Sequence, residues 1–300
     1  MSDVPKSNGT SSRALGYAFV APTLLLLIAL NVFPLAYTVV LSFQNAYLDG
    51  GVSTPAGGAN FGRVFSDPRY ADSLRTTAVF IFSAVFIELL LGFVLALCMK
   101  SSFRGKTVVL TVLLVPMMLS PAVMGLYWNL ILNGQHGVLN QLLGLLHLPQ
   151  PLWLTDPNLK LATIVMIDVW MWTPFMMLIA LAALNAIPSH IYEAASIDRA
   201  SRWYVFRRIT LPLCAPLLVL AVLFRATDAL KQFDLVMAIT GPNDASTQTL
   251  SALLYQVIFG NQRVGLGSAY SLVVLVAVIA LAIVVVRYMD RLQASGRRTT

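Results

Sequence analysis

Charge is what this sequence has least of. Acidic and basic residues fill 11% of its 300 positions, while hydrophobic residues fill 58%. A soluble domain carries about 25% charged and about 45–50% apolar residues, and no soluble core could hide this much apolar surface. Cysteine is nearly absent. Cys98 and Cys214 both lie in or beside apolar segments, which excludes a disulfide framework and a thiolate metal site. The three histidines, His136, His147 and His190, sit in separate segments and form no zinc pattern. No nucleophile elbow or Cys/His pair is present. Gly105-Lys106-Thr107 resembles the end of a phosphate-binding loop, but the first glycine of that pattern would fall on Lys100 and no strand precedes it. The chain is therefore expected to bind neither ATP nor a metal, and to hold no catalytic residue.

What is abundant is apolar sequence in long runs. Six stand out, at 16–43, 76–99, 107–132, 161–184, 213–239 and 268–288. Each is near the roughly 20 residues that cross about 30 Å of hydrocarbon. The expected fold is an all-α polytopic membrane protein with six transmembrane helices. The first run exceeds a signal-peptide core of about 7–15 residues, so it is expected to remain as a span. Its Pro22 and Pro34 are positions for a kink. No internal repeat or low-complexity tract interrupts the pattern.

The net charge of +7 is unevenly spread. In a soluble protein it would raise the question of nucleic acid; here no nucleic-acid partner is expected. One set of connecting segments holds Lys6, Arg13, Lys100, Arg104, Lys106, Arg199, Arg202, Arg207, Arg208, Arg287, Arg291, Arg297 and Arg298. The other holds Arg63, Arg69, Arg75, Lys160 and Arg263. The richer set faces the cytoplasm. Both termini then lie inside, with a tail at 1–15, a six-span membrane domain at 16–290 and a tail at 291–300. The Asn8-Gly9-Thr10 sequon falls on the cytoplasmic side and is discounted.

One cytoplasmic connection, 185–212, is longer than its neighbours. Pro188-Ser189 signals a helix start with Ser189 as N-cap. Glu193 near that start suits the helix dipole. Ser201 is placed to cap a second short helix, amphipathic through Trp203, Phe206 and Ile209, which Pro212 should end. Small residues at Ala194 and Ala195 allow close approach of another backbone.

Glu193-Ala194-Ala195, Asp198, Ala200 and Leu211-Pro212, in this order before the second-last span, resemble the cytoplasmic signature of ABC importer permeases. Trp172-Thr173-Pro174-Phe175, Ile187-Pro188, Phe233-Asp234-Leu235 and Thr240-Gly241-Pro242 extend the likeness to carbohydrate permeases of the maltose, glycerol-phosphate and trehalose type. The first span, from Ala21-Pro22 to Phe33-Pro34, is similar to the first permease of a heterodimeric pair. The resemblance implies a type I importer fold in the bacterial inner membrane. It implies a second homologous permease, two copies of an ATPase subunit that bind ATP and magnesium, and an extracytoplasmic solute-binding protein. It also implies an ATPase-docking helix carrying Glu193, Ala194, Ala195, Asp198, Arg199 and Ala200. The family's usual glycine is Arg199 here. Either the turn takes another geometry, or Arg199 itself contacts the ATPase.

Ionisable groups inside apolar runs are costly and mark functional positions. Glu88, Asp168, Arg225, Asp228 and Lys231 are of this kind. Arg225, Asp228 and Gln232 fall on one helix face, and Asp168 with Trp172 on another. With Trp128 and Asn129 they supply the aromatic faces, carboxylates and amides that a sugar site needs. They also suit a structural Arg225–Asp228 or Arg225–Asp168 pair with interfacial aromatic anchors. The expected function is import of a sugar, a disaccharide such as trehalose or maltose. An ion-coupled secondary transporter is the alternative, and it would need relay carboxylates and no docking loop.

Overall fold

The structure is a computed structural model that describes residues 9–296. Of the two expected tails, positions 1–8 and 297–300 lie outside the described residues. Fourteen helices follow one another among those described: α1 (Gly9–Leu27), α2 (Phe33–Ser42), α3 (Ala59–Ser66), α4 (Pro68–Lys100), α5 (Lys106–Leu114), α6 (Pro121–Ile131), α7 (Val138–Leu145), α8 (Pro157–Asn185), α9 (Ser189–Ile197), α10 (Arg202–Val205), α11 (Leu211–Ala229), α12 (Asp234–Ile239), α13 (Leu250–Tyr255) and α14 (Val264–Gly296). The single strand pair, β1 (Gln44–Asn45) with β2 (Thr54–Pro55), is antiparallel and two residues long.

Five helices among the described residues are long and apolar enough to cross a membrane: Tyr17–Ser42, Pro68–Lys100, Pro157–Asn185, Arg202–Ala229 and Val264–Val284. The third expected span, 107–132, is not one helix. It breaks into α5, a 3-10 turn at Pro116–Met118, and α6. Pro116 and Pro121 are the cause. A proline disfavours the helical conformation in the residue before it, and here Ser120 is extended, its ψ of 128° ending the helical run. The fifth expected span also stops early, at Ala229, and α12 is a separate short helix.

Pro212 does not end the helix before it. Phe206–Thr210 is wound as a π-helix that joins α10 to α11, with the Leu211 amide donating to the Phe206 carbonyl. The first span repeats the device: Ile28–Val32 is π-wound and the Phe33 amide donates to the Ile28 carbonyl, just before Pro34. Proline lacks an N–H and its ring crowds the carbonyl four residues back. A widened turn just ahead of it makes room for the ring.

The chain divides into two compact units, 1–66 with 257–273 and 67–256 with 274–300. In the first, the Asn60 amide bonds the carbonyls of Ser42 and Gln44, and Gly265 donates to the Ala46 carbonyl. The Gln44 carbonyl stands where a side chain at Gly265 would begin. The apolar helix at Tyr17–Ser42 is exposed along most of its length and becomes buried at Ser42.

In the second unit, α4 and α8 pack along their length. The buried stripe of α4 runs Ser73, Thr77, Phe80, Ala84, Glu88, Gly92, Ala96 and Met99, at spacings of three and four that keep one face turned inward. Gly92 marks the closest approach, because a Cβ there would lie 2.6 Å from the Met176 Cβ and 2.8 Å from the Met177 nitrogen. Gly92→Val should therefore force the two helices apart and destabilise the protein by about 1–3 kcal/mol, the range for overpacking. Thermal unfolding followed by tryptophan fluorescence reads this. An unchanged midpoint would show that the crossing relaxes at no cost.

Candidate functional site

Arg225 is buried at 2% exposure in the second unit, and it gathers three carboxylates. Its Nε donates to Glu88 Oε2 at 2.9 Å and its Nη2 to Glu88 Oε1 at 3.1 Å, a two-pronged pairing. Nη2 also donates to Asp168 Oδ2, and Nη1 to Asp228 Oδ2 at 3.3 Å. Gln232 donates its amide to Asp168 Oδ1 at 2.9 Å. The guanidinium carbon stands 5.1 Å from the centre of the Trp172 ring, close enough for a cation–π contact. Glu88 belongs to α4, Asp168 and Trp172 to α8, and Arg225 and Asp228 to α11. Gln232 lies in the turn just past the end of α11 and still reaches the cluster.

Asp168 and Glu88 are wholly enclosed, but the side chain of Asp228 is 56% exposed. It opens, with Trp172, Phe175, Phe224 and Arg225, on a pocket of about 260 Å³. Five of the seven candidate sugar-site residues thus belong to one cluster around the Arg225 guanidinium, and three of them, Trp172, Arg225 and Asp228, line the pocket beside it. Trp128 and Asn129 are elsewhere. Trp128 meets Trp170 edge-on at 5.5 Å, and the Asn129 amide bonds the carbonyls of Ala238 and Ile239 at 3.4 Å. Trp128 packs α6 on α8 and Asn129 ties α6 to α12, where a Cβ at Gly125 would lie 2.5 Å from that of Ala238. Spacing alone could not have added Phe175 and Phe224, although Phe224 stands one turn from Asp228. The charge of Glu88 was the visible sign of its part in the cluster.

A second polar tie joins the first turn of α8 to the segment after α12. Lys160 Nζ bonds Asp244 Oδ2 at 2.5 Å, and Asp244 Oδ1 also accepts from the amide and hydroxyl of Ser246. Partial burial opposes the charged carboxylate, but these bonds outweigh it and hold the acid below its usual range.

The loop at 185–212 has a defined shape. Pro188, extended, is the N-cap of α9, and Ser189 is its first helical residue rather than its cap. At the other end Ala200 N–H donates to Ala195 O at 2.9 Å, and Arg199 N–H to Ser196 O at 3.1 Å. This is a Schellman closure, and its left-handed position is Arg199, at φ 51°. The arginine adopts the glycine geometry. Ser201 caps α10 as expected, accepting from Tyr204 N–H at 3.2 Å. The Tyr192 hydroxyl meets Thr210 Oγ1 at 3.2 Å, and Lys100 Nζ sits 4.1 Å from the centre of the Tyr192 ring, so α9 is tied to the ends of α4 and α11. Glu193, Ala194, Asp198 and Arg199 are exposed, Ala200 half-buried and Ala195 buried. Ile197 stands 81% exposed. Hollows of about 730 Å³ and about 280 Å³ flank the helix.

Residues 88–298 match the family described as binding-protein-dependent transport system inner membrane component. The chain belongs to that family. It is an integral inner-membrane permease of an ABC importer, a translocation subunit and not an enzyme, of the maltose, trehalose and glycerol-phosphate type. It is 33% identical over 270 residues to the trehalose/maltose transport system permease protein MalF of Thermococcus litoralis, covering 90% of this chain and 92% of that one. It is 32% identical over 287 residues to the trehalose transport system permease protein SugA of Mycobacterium tuberculosis, covering 95% and 92%. Its fold matches a chain in the crystal structure of a bacterial alginate ABC transporter in complex with an alginate pentasaccharide-bound periplasmic protein. The TM-score is 0.80 at 20% identity, over 92% of this chain and 93% of that one.

Removing the guanidinium would strand two buried acids. Arg225→Met should cost about 3–5 kcal/mol, as loss of one member of a buried ion pair does. The readout is the yield and melting temperature of the permease purified in detergent. A variant as stable as the parent would mean that water reaches Glu88 and Asp168.

Proposed function

We propose that this permease carries a disaccharide such as trehalose or maltose through the inner membrane, driven by ATP hydrolysis on separate subunits. The observation that carries the reading is the exposed helix α9, closed by a Schellman turn and followed by α10, which runs on into α11, on a chain related over nearly its full length to trehalose and maltose permeases. Helix α9, with Glu193, Ala194, Ala195, Asp198, Arg199 and Ala200, docks into an ATPase subunit. Two ATPase copies bind ATP and magnesium. A second, homologous permease supplies the other half of the path, and an extracytoplasmic solute-binding protein delivers the sugar. The distribution of Lys and Arg supports a multi-pass arrangement with both termini in the cytoplasm.

The path runs past the Arg225 cluster. Alternating access needs a central site that opens to one side and then the other. The pocket beside Arg225 has the chemistry for a sugar: Trp172 and Phe175 for the apolar ring faces, and the exposed Asp228 carboxylate for hydroxyls. Asp168 and Gln232 hold it from behind, while Trp128 and Asn129 support the neighbouring helices rather than the sugar.

Two variants test the two halves of this reading in an importer reconstituted with all its subunits. Glu193→Lys should insert normally yet lose sugar-stimulated ATP hydrolysis and uptake together. Full coupling in that variant would remove α9 from the docking role. Asp228→Ala should assemble and hydrolyse ATP but take up radiolabelled trehalose about tenfold more slowly, the effect of one lost hydrogen bond to a charged group at about 1.4 kcal/mol. Unchanged uptake would place the sugar elsewhere.

A further inference from the structure

One concavity has no part in the reading above. It encloses about 540 Å³ along the seam of α4 and α8, between Val79, Ser83 and Ile87 on one side and Leu161, Met166 and Val169 on the other. Val79, Ser83 and Ile87 recur every four residues and so form a single stripe. The Ser83 hydroxyl is bonded to the Val79 carbonyl at 2.6 Å, so the surface it offers is apolar. At 1.5 Å per residue the groove extends about 12 Å along α4 and, from Asn158 to Val169, about 16 Å along α8. That is about half of the roughly 30 Å hydrocarbon core. Its inner end coincides with the level of Glu88 and Asp168, and farther in the seam is shut by the Gly92–Met176 approach.

The mouth of the groove carries a cation. Arg75 lies one turn beyond Val79 on the same stripe and is the last charge before the apolar run that reaches Glu88. It is exposed and stands in no ion pair among the described residues, whereas nearby Lys160 is bound to Asp244. A groove about one leaflet deep, apolar apart from Ser83 and Asn158 and with an exposed guanidinium one turn beyond its α4 stripe, matches the shape and charge of a phospholipid. A spanning helix of a partner would need about 30 Å of seam, which the Gly92 crossing denies it.

We propose that this groove binds one acyl chain of an anionic phospholipid of the outer leaflet, with the lipid phosphate on Arg75. The placement in the outer leaflet rests on the orientation given under the proposed function; the site itself does not. The bound chain fills the seam that α4 and α8 leave open, and so completes the packing of the two helices beside the Arg225 cluster.

The test uses the assembled importer in nanodiscs of phosphatidylcholine with a minor share of phosphatidylglycerol, and native mass spectrometry after delipidation. The parent should retain phosphatidylglycerol selectively. Arg75→Glu should retain roughly fivefold less, the contribution of one cation at a membrane surface. Ala162→Trp, which fills the groove and leaves Arg75 in place, should lose the lipid as well. Equal retention by Arg75→Glu, or no preference over phosphatidylcholine in the parent, overturns the site. So does a disulfide from Met166→Cys to the second permease, which would make the groove a protein interface. Thiol labelling of Arg75→Cys in cells, in a chain lacking Cys98 and Cys214, should occur from outside; labelling only from the cytoplasm overturns the leaflet. None of these readouts depends on which sugar is carried.

Discussion

A guanidinium cannot rest in the middle of a helical bundle without carboxylates around it. Desolvation of a charge in a low-dielectric interior costs several kcal/mol, and only close, hydrogen-bonded partners offset it. Arg225 meets that constraint with Glu88 from one helix, Asp168 from a second and Asp228 from its own. The packing of α4, α8 and α11 is organised around this point. The stripe on α4 turns Glu88 inward, Gly92 lets α8 close in just beyond it, and the pocket with Trp172 and Phe224 forms where the cluster meets open space. Because the partners come from different helices, the cluster also resists their sliding past each other.

The same helix that carries Arg225 begins in the loop. From Arg202 to Ala229 the winding is unbroken, first α, then π, then α. Any displacement of α10 is therefore carried to the ion cluster through one rod, with the turn at Arg199 as the only joint between that rod and α9. The π stretches at Ile28–Val32 and Phe206–Thr210, each just ahead of a proline, show how such rods are kept whole. Where the backbone cannot make its regular bond, a wider turn is inserted and the helix goes on.

Much of this was legible in the sequence, and what was not has physical causes. Hydropathy located the long helices because apolar length is a local property. It missed the break at Ser120-Pro121, since an average over a span is blind to a single residue forced into an extended conformation. Pro212 was misread for the opposite reason: its local rule is to stop a helix, and the π turn before it was not visible. The cap at Ser201 and the start of α9 are local chemistry and were read to within a residue. The convergence on Arg225 was only partly readable. Helical spacing joined Arg225 to Asp228, but Glu88 lies 137 residues away in the chain and meets it only through packing. Trp128 and Asn129 have the chemistry of a sugar site, and packing places them apart from the Arg225 cluster, against α8 and α12.

The left-handed arginine at the end of α9 has a consequence for recognition. An L-residue with a side chain pays about 1–2 kcal/mol to hold that conformation, and glycine would avoid it. The charge recovers part of this, since the last carbonyls of α9 carry the negative end of the helix dipole and favour a cation by about 0.3–1 kcal/mol. What remains is a residue held under strain at the apex of the loop, beside the exposed Asp198 and Ile197. Under the docking role proposed for α9, a partner surface would meet a positive charge at this turn, and one carrying a carboxylate there would be favoured over one that does not.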